Sequence, residues 1–231
     1  MKTIAVIPAG GQGKRTGSEI PKQYLKFNGK ELIAFTLEVF QQCSLIDEIV
    51  VAAKPEYIPL LKKIKVRYDL TKIKTLVEGG SERQFSVFNA LSSLDCSNKD
   101  LVVVHDAARP LLPPEVLKRA VLAAQKKGNA LVCLKARDTI IRGKSTVEDY
   151  IERKEIFIVQ TPQVFRYSDL FNALKKANSE GFIGTDESSV MKRYGKRIYI
   201  VEGSLINFKI TDAEDLELFR MLITAGKDTS V

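Results

Sequence analysis

The sequence predicts an α/β fold in which a mainly parallel sheet carries helices on both faces. Three observations support this: short β-branched runs alternate with amphipathic segments, a glycine-rich loop follows the first run directly, and 45% of the 231 residues are hydrophobic. Such alternation is typical of parallel strands joined by crossover helices. No internal repeat, linker or low-complexity tract interrupts the pattern, so we predict one Rossmann-like domain over residues 1–231.

The strands of the predicted sheet are short, apolar and rich in β-branched residues, as expected of strands buried on both faces. They cover residues 4–7, 49–53, 74–77, 101–104 and 130–134, and then residues 156–159 and 198–201. Ligands of such sheets bind beyond the carboxyl ends of the strands. We therefore expect the loops after the strands to carry function.

The predicted helices have apolar residues at helical spacing, which gives each of them a buried face. One helix spans residues 167–177, and the faces of the others are Ile33, Leu37 and Phe40; Val87, Leu91 and Leu94; Val116, Ala120 and Ala123; and Leu216, Phe219 and Ile223. Thr211 is the predicted cap of the last helix, and Glu214 three residues later would complete a capping box.

The alternation breaks over residues 137–153, which are polar and contain the turn residues Gly143 and Ser145 between short β-prone pieces. This pattern predicts a β-hairpin that projects from the domain as an inserted arm. A polar hairpin alone in water is only marginally stable, so we expect a partner to hold it. A second copy of the chain is the simplest partner, and the prediction is a homodimer.

The net charge of +8 suits an anionic small substrate, an acidic membrane surface or nucleic acid. The basic runs at residues 62–74 and 192–197 lack the interleaved aromatic residues of a base-stacking surface, so we expect no specific nucleic acid. No apolar run has the length of a membrane span, and the apolar start at residues 4–8 is too short for a signal-peptide core. We therefore expect a cytoplasmic protein with no membrane partner.

The glycine-rich loop at residues 8–17 lets backbone N–H groups approach a phosphate closely. It is not a P-loop, because Arg15 stands where that motif has its magnesium-binding Ser or Thr. It matches a dinucleotide fingerprint only in part, since Thr16 stands where the third glycine belongs, which leaves a nicotinamide-dependent oxidoreductase as a distant alternative. Lys14, Arg15 and Lys22 place several cations near backbone amides, an arrangement that suits a triphosphate.

The strand at residues 101–104 leads directly into His105 and Asp106, at the edge where ligands bind. A carboxylate at that point suits a magnesium ion that bridges phosphates, or ribose hydroxyls. An ion pair between Asp106 and Arg109 is the structural alternative. We interpret His105, the sole histidine, as structural.

Several motifs follow one another in the order found in a known enzyme family. They are residues 9–15 (AGGQGKR), 21–25 (PKQYL), 79–83 (GGSER) with Ser86, 105–110 (HDAARP), 137–139 (RDT), Arg153, 161–163 (TPQ), 185–187 (TDE) and 207–209 (NFK). Over nearly the whole chain they resemble the 2-C-methyl-D-erythritol 4-phosphate cytidylyltransferases of the non-mevalonate isoprenoid pathway. The resemblance implies transfer of CMP from CTP to 2-C-methyl-D-erythritol 4-phosphate with release of pyrophosphate, and Mg²⁺ or another divalent cation as cofactor.

The resemblance also implies roles for individual residues. The expected catalytic residues are Arg15, Lys22 and Lys209. The expected nucleotide-binding residues are Ala9, Gly10, Gly11, Gly13, Lys14, Gly80, Ser81, Ser86 and Asp106, and Asp106 is also the expected metal ligand. The expected residues for the sugar-alcohol phosphate are Arg109, Thr139, Arg153 and Thr185. The family's dimeric arms reach the neighbouring active site, so Arg153 is expected to act in trans.

Two positions depart from the family pattern. Gly10 stands where the family commonly has a second alanine, and Ser81 stands where it often has aspartate. The Ala-Gly-Gly form also occurs in the ribitol-5-phosphate cytidylyltransferases, which are therefore the alternative. Ala107 and Ala108 favour the methylerythritol enzyme, because the sister group tends to have serine and valine there.

Overall fold

The computed structural model describes residues 1–11 and 20–228, with side chains through residue 225. The strands in chain order are β1 (Thr3–Pro8), β2 (Lys26–Phe27), β3 (Lys30–Glu31), β4 (Glu48–Ala53), β5 (Ile73–Glu78), β6 (Leu101–Val104), β7 (Asn129–Lys135), β8 (Ile140–Gly143), β9 (Val147–Ile151), β10 (Phe157–Arg166) and β11 (Ile200–Glu202). The helices in chain order are α1 (Leu32–Gln42), α2 (Ile58–Arg67), α3 (Arg83–Ser92), α4 (Pro114–Lys127), α5 (Tyr167–Ser179), α6 (Glu187–Arg193) and α7 (Ala213–Asp228). Within these two ranges, no helix combines the length and the apolar character that a membrane crossing requires.

The central sheet has seven strands in the order β11-β7-β10-β6-β1-β4-β5. β1 pairs in parallel with β4 and β6, β4 with β5, and β7 with β11, while β10 runs antiparallel between β6 and β7. The predicted mainly parallel sheet is confirmed. The predicted strand at residues 156–159 is only the start of β10, which continues to Arg166 through an irregularity between Val159 and Gln163. That irregularity explains why the periodicity ends early.

Both faces of the sheet are covered, because alternate side chains of a strand point to opposite sides. In β1, Ala5 and Ile7 pack with residues of α1, α2 and α4, whereas Ile4 and Val6 pack with residues of α3, α5 and α6. All four side chains are fully buried, and each of the three larger ones, Ile4, Val6 and Ile7, contributes about 1.5–3 kcal/mol. The predicted helices on both faces are confirmed.

Helix α7 closes a smaller apolar cluster beside the sheet. Phe219 packs edge-on against Phe27 at a centroid distance of 5.0 Å, so α7 covers the β2–β3 hairpin. The predicted cap by Thr211 and Glu214 is wrong by one position. The backbone N–H of Asp215 donates to Asp212 Oδ1 at 3.1 Å, and that of Asp212 donates to Asp215 Oδ2 at 3.3 Å. Ionised carboxylates are the stronger acceptors for these exposed N–H groups.

Strands β8 and β9 form a two-stranded sheet of their own and confirm the predicted projecting hairpin. Two hydrogen bonds lie at its base, from the Ala136 N–H to the Ile156 carbonyl at 2.9 Å and from Arg153 Nη1 to the Arg137 carbonyl at 2.6 Å. Along the hairpin, Tyr150 is 70% exposed. The arm therefore leaves the sheet between β7 and β10 and presents its side chains to its surroundings.

Candidate active site

A cavity of about 590 Å³ opens at the carboxyl ends of β1, β4, β5 and β6. This is the edge at which parallel α/β sheets bind ligands. Its lining combines the start of the glycine loop, the segment after β5 and the segment after β6. The lining residues are Pro8, Ala9, Gly10, Gly11, Lys22, Gln23, Lys54, Gly80, Ser81, Glu82, Arg83, Ser86, Asp106, Ala107, Ala108, Lys209 and Thr211.

The cavity brings together most of the predicted site residues that the structure describes. Those that line it are Ala9, Gly10, Gly11, Lys22, Gly80, Ser81, Ser86, Asp106 and Lys209. Gly13, Lys14 and Arg15 lie outside the described residues. Arg109 is buried beside the cavity, whereas Thr139, Arg153 and Thr185 are exposed and do not line it. The described part of the chain therefore gathers most of the predicted nucleotide-binding residues at the cavity, with Arg109 beside it but without Thr139, Arg153 and Thr185.

The start of the glycine loop is fixed by a buried glutamine that follows Lys22. Gln23 Nε2 donates to the carbonyl of Ala9 at 2.7 Å and to that of Gly11 at 2.8 Å. The backbone N–H of Ala9 donates to the Ala52 carbonyl at 2.7 Å, which continues the pairing of β1 with β4. Lys22 begins a short 3₁₀ helix directly after Pro21, so the same turn carries Gln23 to the loop and Lys22 to the cavity.

Ser86 organises the loop after β5. Its hydroxyl accepts the Gly80 N–H at 3.0 Å and donates to the Glu82 carbonyl at 3.2 Å. A Cβ on Gly80 would lie 2.2 Å from Phe85 Cβ, so this position requires glycine. A Cβ on Gly10 would lie 3.5 Å from Ser86 Oγ, an ordinary contact. Glycine is therefore a steric need at residue 80 and not at residue 10.

Asp106 is the centre of a cluster of cations at one end of the cavity. Arg83 Nε donates to Oδ1 at 2.9 Å, Lys209 Nζ lies 2.9 Å from Oδ2, and Arg109 Nε lies 3.6 Å from Oδ2. Burial raises the pKa of this carboxyl, but Arg83, Lys209 and Arg109 lower it more, to well below its usual range. The carboxylate therefore stays ionised and orients the cations around it.

The ion pair between Asp106 and Arg109, the structural alternative to a ligand-binding role, is present, with 3.6 Å between Arg109 Nε and Asp106 Oδ2. Arg109 is 8% exposed, and its Nη1 donates to the Asn207 carbonyl at 2.7 Å. Lys209 lies in an irregular segment after β11. The Ile210 N–H donates to the Ala108 carbonyl at 2.9 Å and holds this segment beside the cavity.

His105 is fully buried and both of its ring nitrogens have partners. Nε2 donates to the Arg109 carbonyl at 3.2 Å, and Nδ1 accepts from the Thr161 hydroxyl at 3.0 Å. Thr161 Oγ1 in turn accepts the Asp106 N–H at 3.1 Å. Burial lowers the pKa of His105 from 6.5 to about 4, so the imidazole is neutral and holds the backbone in place. The structural interpretation of His105 agrees with this environment.

Sequence reasoning missed three side chains that shape the site. Gln23 fixes the glycine loop, Arg83 binds Asp106, and Glu187 binds Arg83. Each of them belongs to one of the motifs noted in the sequence, and this was the signal available. The local pattern does not show that Gln23 bonds to the start of the glycine loop, and nothing in it joins Arg83 to Glu187.

Asp106, the expected metal ligand, has a cationic partner on each of its two oxygens. Oδ1 already accepts from Arg83 and Oδ2 already pairs with Lys209. Within residues 1–11 and 20–228, no group of three or more His, Cys, Asp or Glu side chains could hold a metal ion. The described residues alone do not form a cage for a divalent cation.

The fold and the cavity together define an α/β nucleotide-binding enzyme whose site is built to bind an anion, with cations next to a glycine loop at the carboxyl edge of the sheet. The sequence model of the 2-C-methyl-D-erythritol 4-phosphate cytidylyltransferase family (IspD) matches residues 3–225. The chain belongs to this family and is a cytidylyltransferase, one kind of nucleotidyltransferase.

Individual relatives agree with the family assignment. A 2-C-methyl-D-erythritol 4-phosphate cytidylyltransferase from Geotalea uraniireducens is 42% identical over 225 residues, covering 94% of this chain and 95% of the relative. The crystal structure of the enzyme of that name from Francisella tularensis is 31% identical with a TM-score of 0.81, covering 96% of this chain and 99% of that one. The enzyme of that name from Thermus thermophilus is also 31% identical, with a TM-score of 0.80 and coverage of 97% and 100%.

Proposed function

We propose that the transfer of CMP from CTP to 2-C-methyl-D-erythritol 4-phosphate takes place in this cavity. A phosphate oxygen of the sugar alcohol attacks the α-phosphorus of CTP in line, the bond from that phosphorus to the bridging oxygen breaks, and pyrophosphate leaves with the bonding electrons. The observation that carries this proposal is the cationic cluster of Arg83, Lys209 and Arg109 around Asp106, in a chain of the cytidylyltransferase family. The attacking phosphate is already ionised, so the neutral, buried His105 is not needed as a base.

The proposed catalytic residues are Lys22, Lys209 and Arg15, of which Arg15 lies outside the described residues. Lys22 and Lys209 both line the cavity and can bind negative charge that grows on phosphate oxygens during transfer. Lys209 is held by Asp106, which orients its ammonium group before the substrate arrives. Such preorganisation is what makes a cation more effective in a site than in water.

Most of the proposed nucleotide-binding residues belong to the glycine loop and to the loop after β5, whereas Asp106 follows β6. They are Ala9, Gly10, Gly11, Gly13, Lys14, Gly80, Ser81, Ser86 and Asp106, of which Gly13 and Lys14 lie outside the described residues. The small residues on both loops let the backbone come close to the base. Backbone groups there can bind the edge of a pyrimidine. The Ser86 hydroxyl is already engaged with Gly80 and Glu82, which supports a role in shaping this pocket.

The proposed residues for the sugar-alcohol phosphate are Arg109, Thr139, Arg153 and Thr185. Arg109 contacts Asp106 and the Asn207 backbone, which supports an indirect role through Asp106. Thr139 and Arg153 lie at the base of the arm. We propose that the chain is one nucleotidyltransferase domain over residues 1–231, with the arm inserted at 137–153. We propose that Thr139 and Arg153 contact a substrate that is bound in the cavity of a second copy of the chain.

We propose a homodimer in which the arm reaches the neighbouring cavity and Arg153 binds the substrate phosphate in trans. The exposed apolar side chains of the arm and of the start of β10 support this. They include Ile141, Tyr150, Phe157, Ile158 and Val159. Apolar groups clustered in this way are typical of a surface that another protein covers. A guanidinium suits the phosphate because it forms paired hydrogen bonds.

We propose that Mg²⁺ or another divalent cation accompanies CTP. Mg²⁺ usually binds through substrate phosphates and one or two carboxylates, and it would neutralise charge on the pyrophosphate. Asp106 is the proposed metal ligand, since each of its oxygens has one cationic partner and a carboxylate oxygen has a second lone pair.

The substrate can be tested by measuring pyrophosphate release from CTP with magnesium and either methylerythritol 4-phosphate or ribitol 5-phosphate. We expect good use of the first and poor use of the second, because the curated relatives described above carry the methylerythritol name. Gly10 is the residue that favoured ribitol phosphate. An alanine would fit at this position as well, so the glycine is weak evidence for that substrate. Equal or better use of ribitol phosphate would overturn the substrate and leave the reaction class intact. Heat-treated protein is the background control.

A further inference from the structure

Arg83 binds two carboxylates at once, at the boundary between the loop after β5 and the segment that carries Thr185. Its Nε donates to Asp106 Oδ1 at 2.9 Å, and its Nη1 donates to the two oxygens of Glu187 at 2.7 and 2.8 Å. Glu187 begins α6 and is 1% exposed. Glu187 does not itself line the cavity, whereas Arg83 and Asp106 do.

We infer that Glu187 is a positioning residue for the transfer reaction. Its buried carboxylate fixes the Arg83 guanidinium against one oxygen of Asp106, which leaves the other oxygen for Lys209. The planar fork of a guanidinium can satisfy two carboxylates only in one orientation, so the pair with Glu187 removes the rotational freedom of Arg83. This inference rests on the proposed function of the cavity and extends it to a residue that touches no substrate.

The alternative is that Glu187 has a purely structural role and only holds the segment at residues 182–188 in place. That segment already has uncharged tethers. Gln84 Nε2 donates to the Phe182 carbonyl at 2.9 Å, and the Gly184 N–H donates to Gln84 Oε1 at 2.9 Å. The Ser188 N–H donates to Gln163 Oε1, also at 2.9 Å. Gln84 therefore offers a matched control, because its replacement loosens the same segment without removing a charge from Arg83.

The test uses full-length Glu187→Gln, Arg83→Met, the double variant and the control Gln84→Met. Steady-state pyrophosphate release gives kcat/KM for each substrate, and circular dichroism with thermal unfolding reports the fold. We expect Glu187→Gln to lower kcat/KM about 10- to 100-fold, the scale of a charge-assisted hydrogen bond. We expect Gln84→Met to lower it by less than about 3-fold, since it leaves the charge cluster intact.

The double variant separates positioning from general loosening. If Glu187 acts through Arg83, the double variant will be no slower than Arg83→Met alone, because both changes remove the same interaction. Effects that multiply would overturn the inference, as would normal activity of Glu187→Gln or equal losses in Glu187→Gln and Gln84→Met.

A second variant covers the case in which Glu187→Gln does not fold. Arg83→Lys keeps the positive charge but cannot bond to both carboxylates in the same way, so we expect it to reproduce the loss of activity. Normal activity of Arg83→Lys would overturn the inference. An inactive wild type would instead overturn the proposed function, so the two failures can be told apart.

Discussion

The cavity and the arm differ in how their polar and apolar groups are satisfied within one chain. In the cavity, Asp106 has cationic partners on both oxygens and His105 has partners on both ring nitrogens. The arm pairs only its own two strands and leaves large side chains such as Tyr150 exposed. The difference supports the two proposals made above, a nucleotide site within one chain and an arm that depends on a partner. Substitutions in the two regions should therefore fail in different ways.

The largest effect is expected on the cavity side, from Lys22→Ala. It should lower kcat about 100- to 1000-fold, the scale for losing one preorganised partner of the transition state. The fold should persist, since Lys22 lies in a surface turn, and circular dichroism can confirm this. Lys62→Ala, an exposed lysine on α2, is the control and should keep normal turnover. Near-normal turnover of Lys22→Ala would remove Lys22 from the catalytic residues.

Beneath the cavity, the buried His105 should make stability depend on pH. Burial lowers its pKa in the folded state to about 4, below the ordinary value of 6.5, so the unfolded state takes up a proton first as the pH falls. The stabilisation is fully present above about pH 6.5 and is lost towards pH 4, by about 3 kcal/mol at most. Urea unfolding at pH 7 and pH 4.5 measures it.

His105→Gln should be less stable overall but should lose this pH dependence. Asp106 does not contribute to this pH dependence, because the surrounding cations lower its pKa and its stabilisation is lost only below the ordinary aspartate pKa of 3.8. An unchanged slope in the variant would show that other groups cause the pH dependence.

Two glycines of the cavity should respond differently to the same added methyl group. Gly80→Ala should weaken CTP binding by about 10-fold or more, because overpacking of a closed site typically costs about 1–3 kcal/mol. Gly10→Ala meets only an ordinary contact with Ser86 and should change the dissociation constant by less than about 3-fold. Calorimetric titration of both variants makes the comparison, and equal losses would contradict the steric account of the loop.

On the arm side, a mixing experiment tests whether Arg153 acts in trans. Lys22→Ala and Arg153→Ala should each be nearly inactive alone. After random subunit exchange, about half of the dimers are mixed and each has one intact site, so activity should return to roughly a quarter of normal. Arg153 acting within its own chain predicts no recovery. Exchange should be verified independently, with differently tagged subunits.

The fold was largely predictable because buried parallel strands leave continuous apolar runs in the sequence. Strand β10 was predicted only in part, since Gln160, Thr161 and Pro162 interrupt its pattern. The short elements β2, β3 and α6, and also α2, were not predicted. The charge cluster could not be predicted for another reason. Arg83 and Glu187 are 104 residues apart, and a local pattern carries no information about which distant charges meet. Thr139 and Arg153 rest on the family resemblance, because one chain does not bring them to the cavity.

The point at which the arm leaves the sheet constrains how its length can change. Lys135 at the end of β7 pairs with Phe157 at the start of β10, so the two ends of the insertion are fixed side by side. Two residues added to each of β8 and β9 would extend the tip by about 6.8 Å and keep every side chain on its present face. One residue added to each strand would move the side chains of the tip to the opposite face of the arm. Insertions and deletions that keep the two faces of the arm are therefore expected to add or remove an even number of residues in each strand.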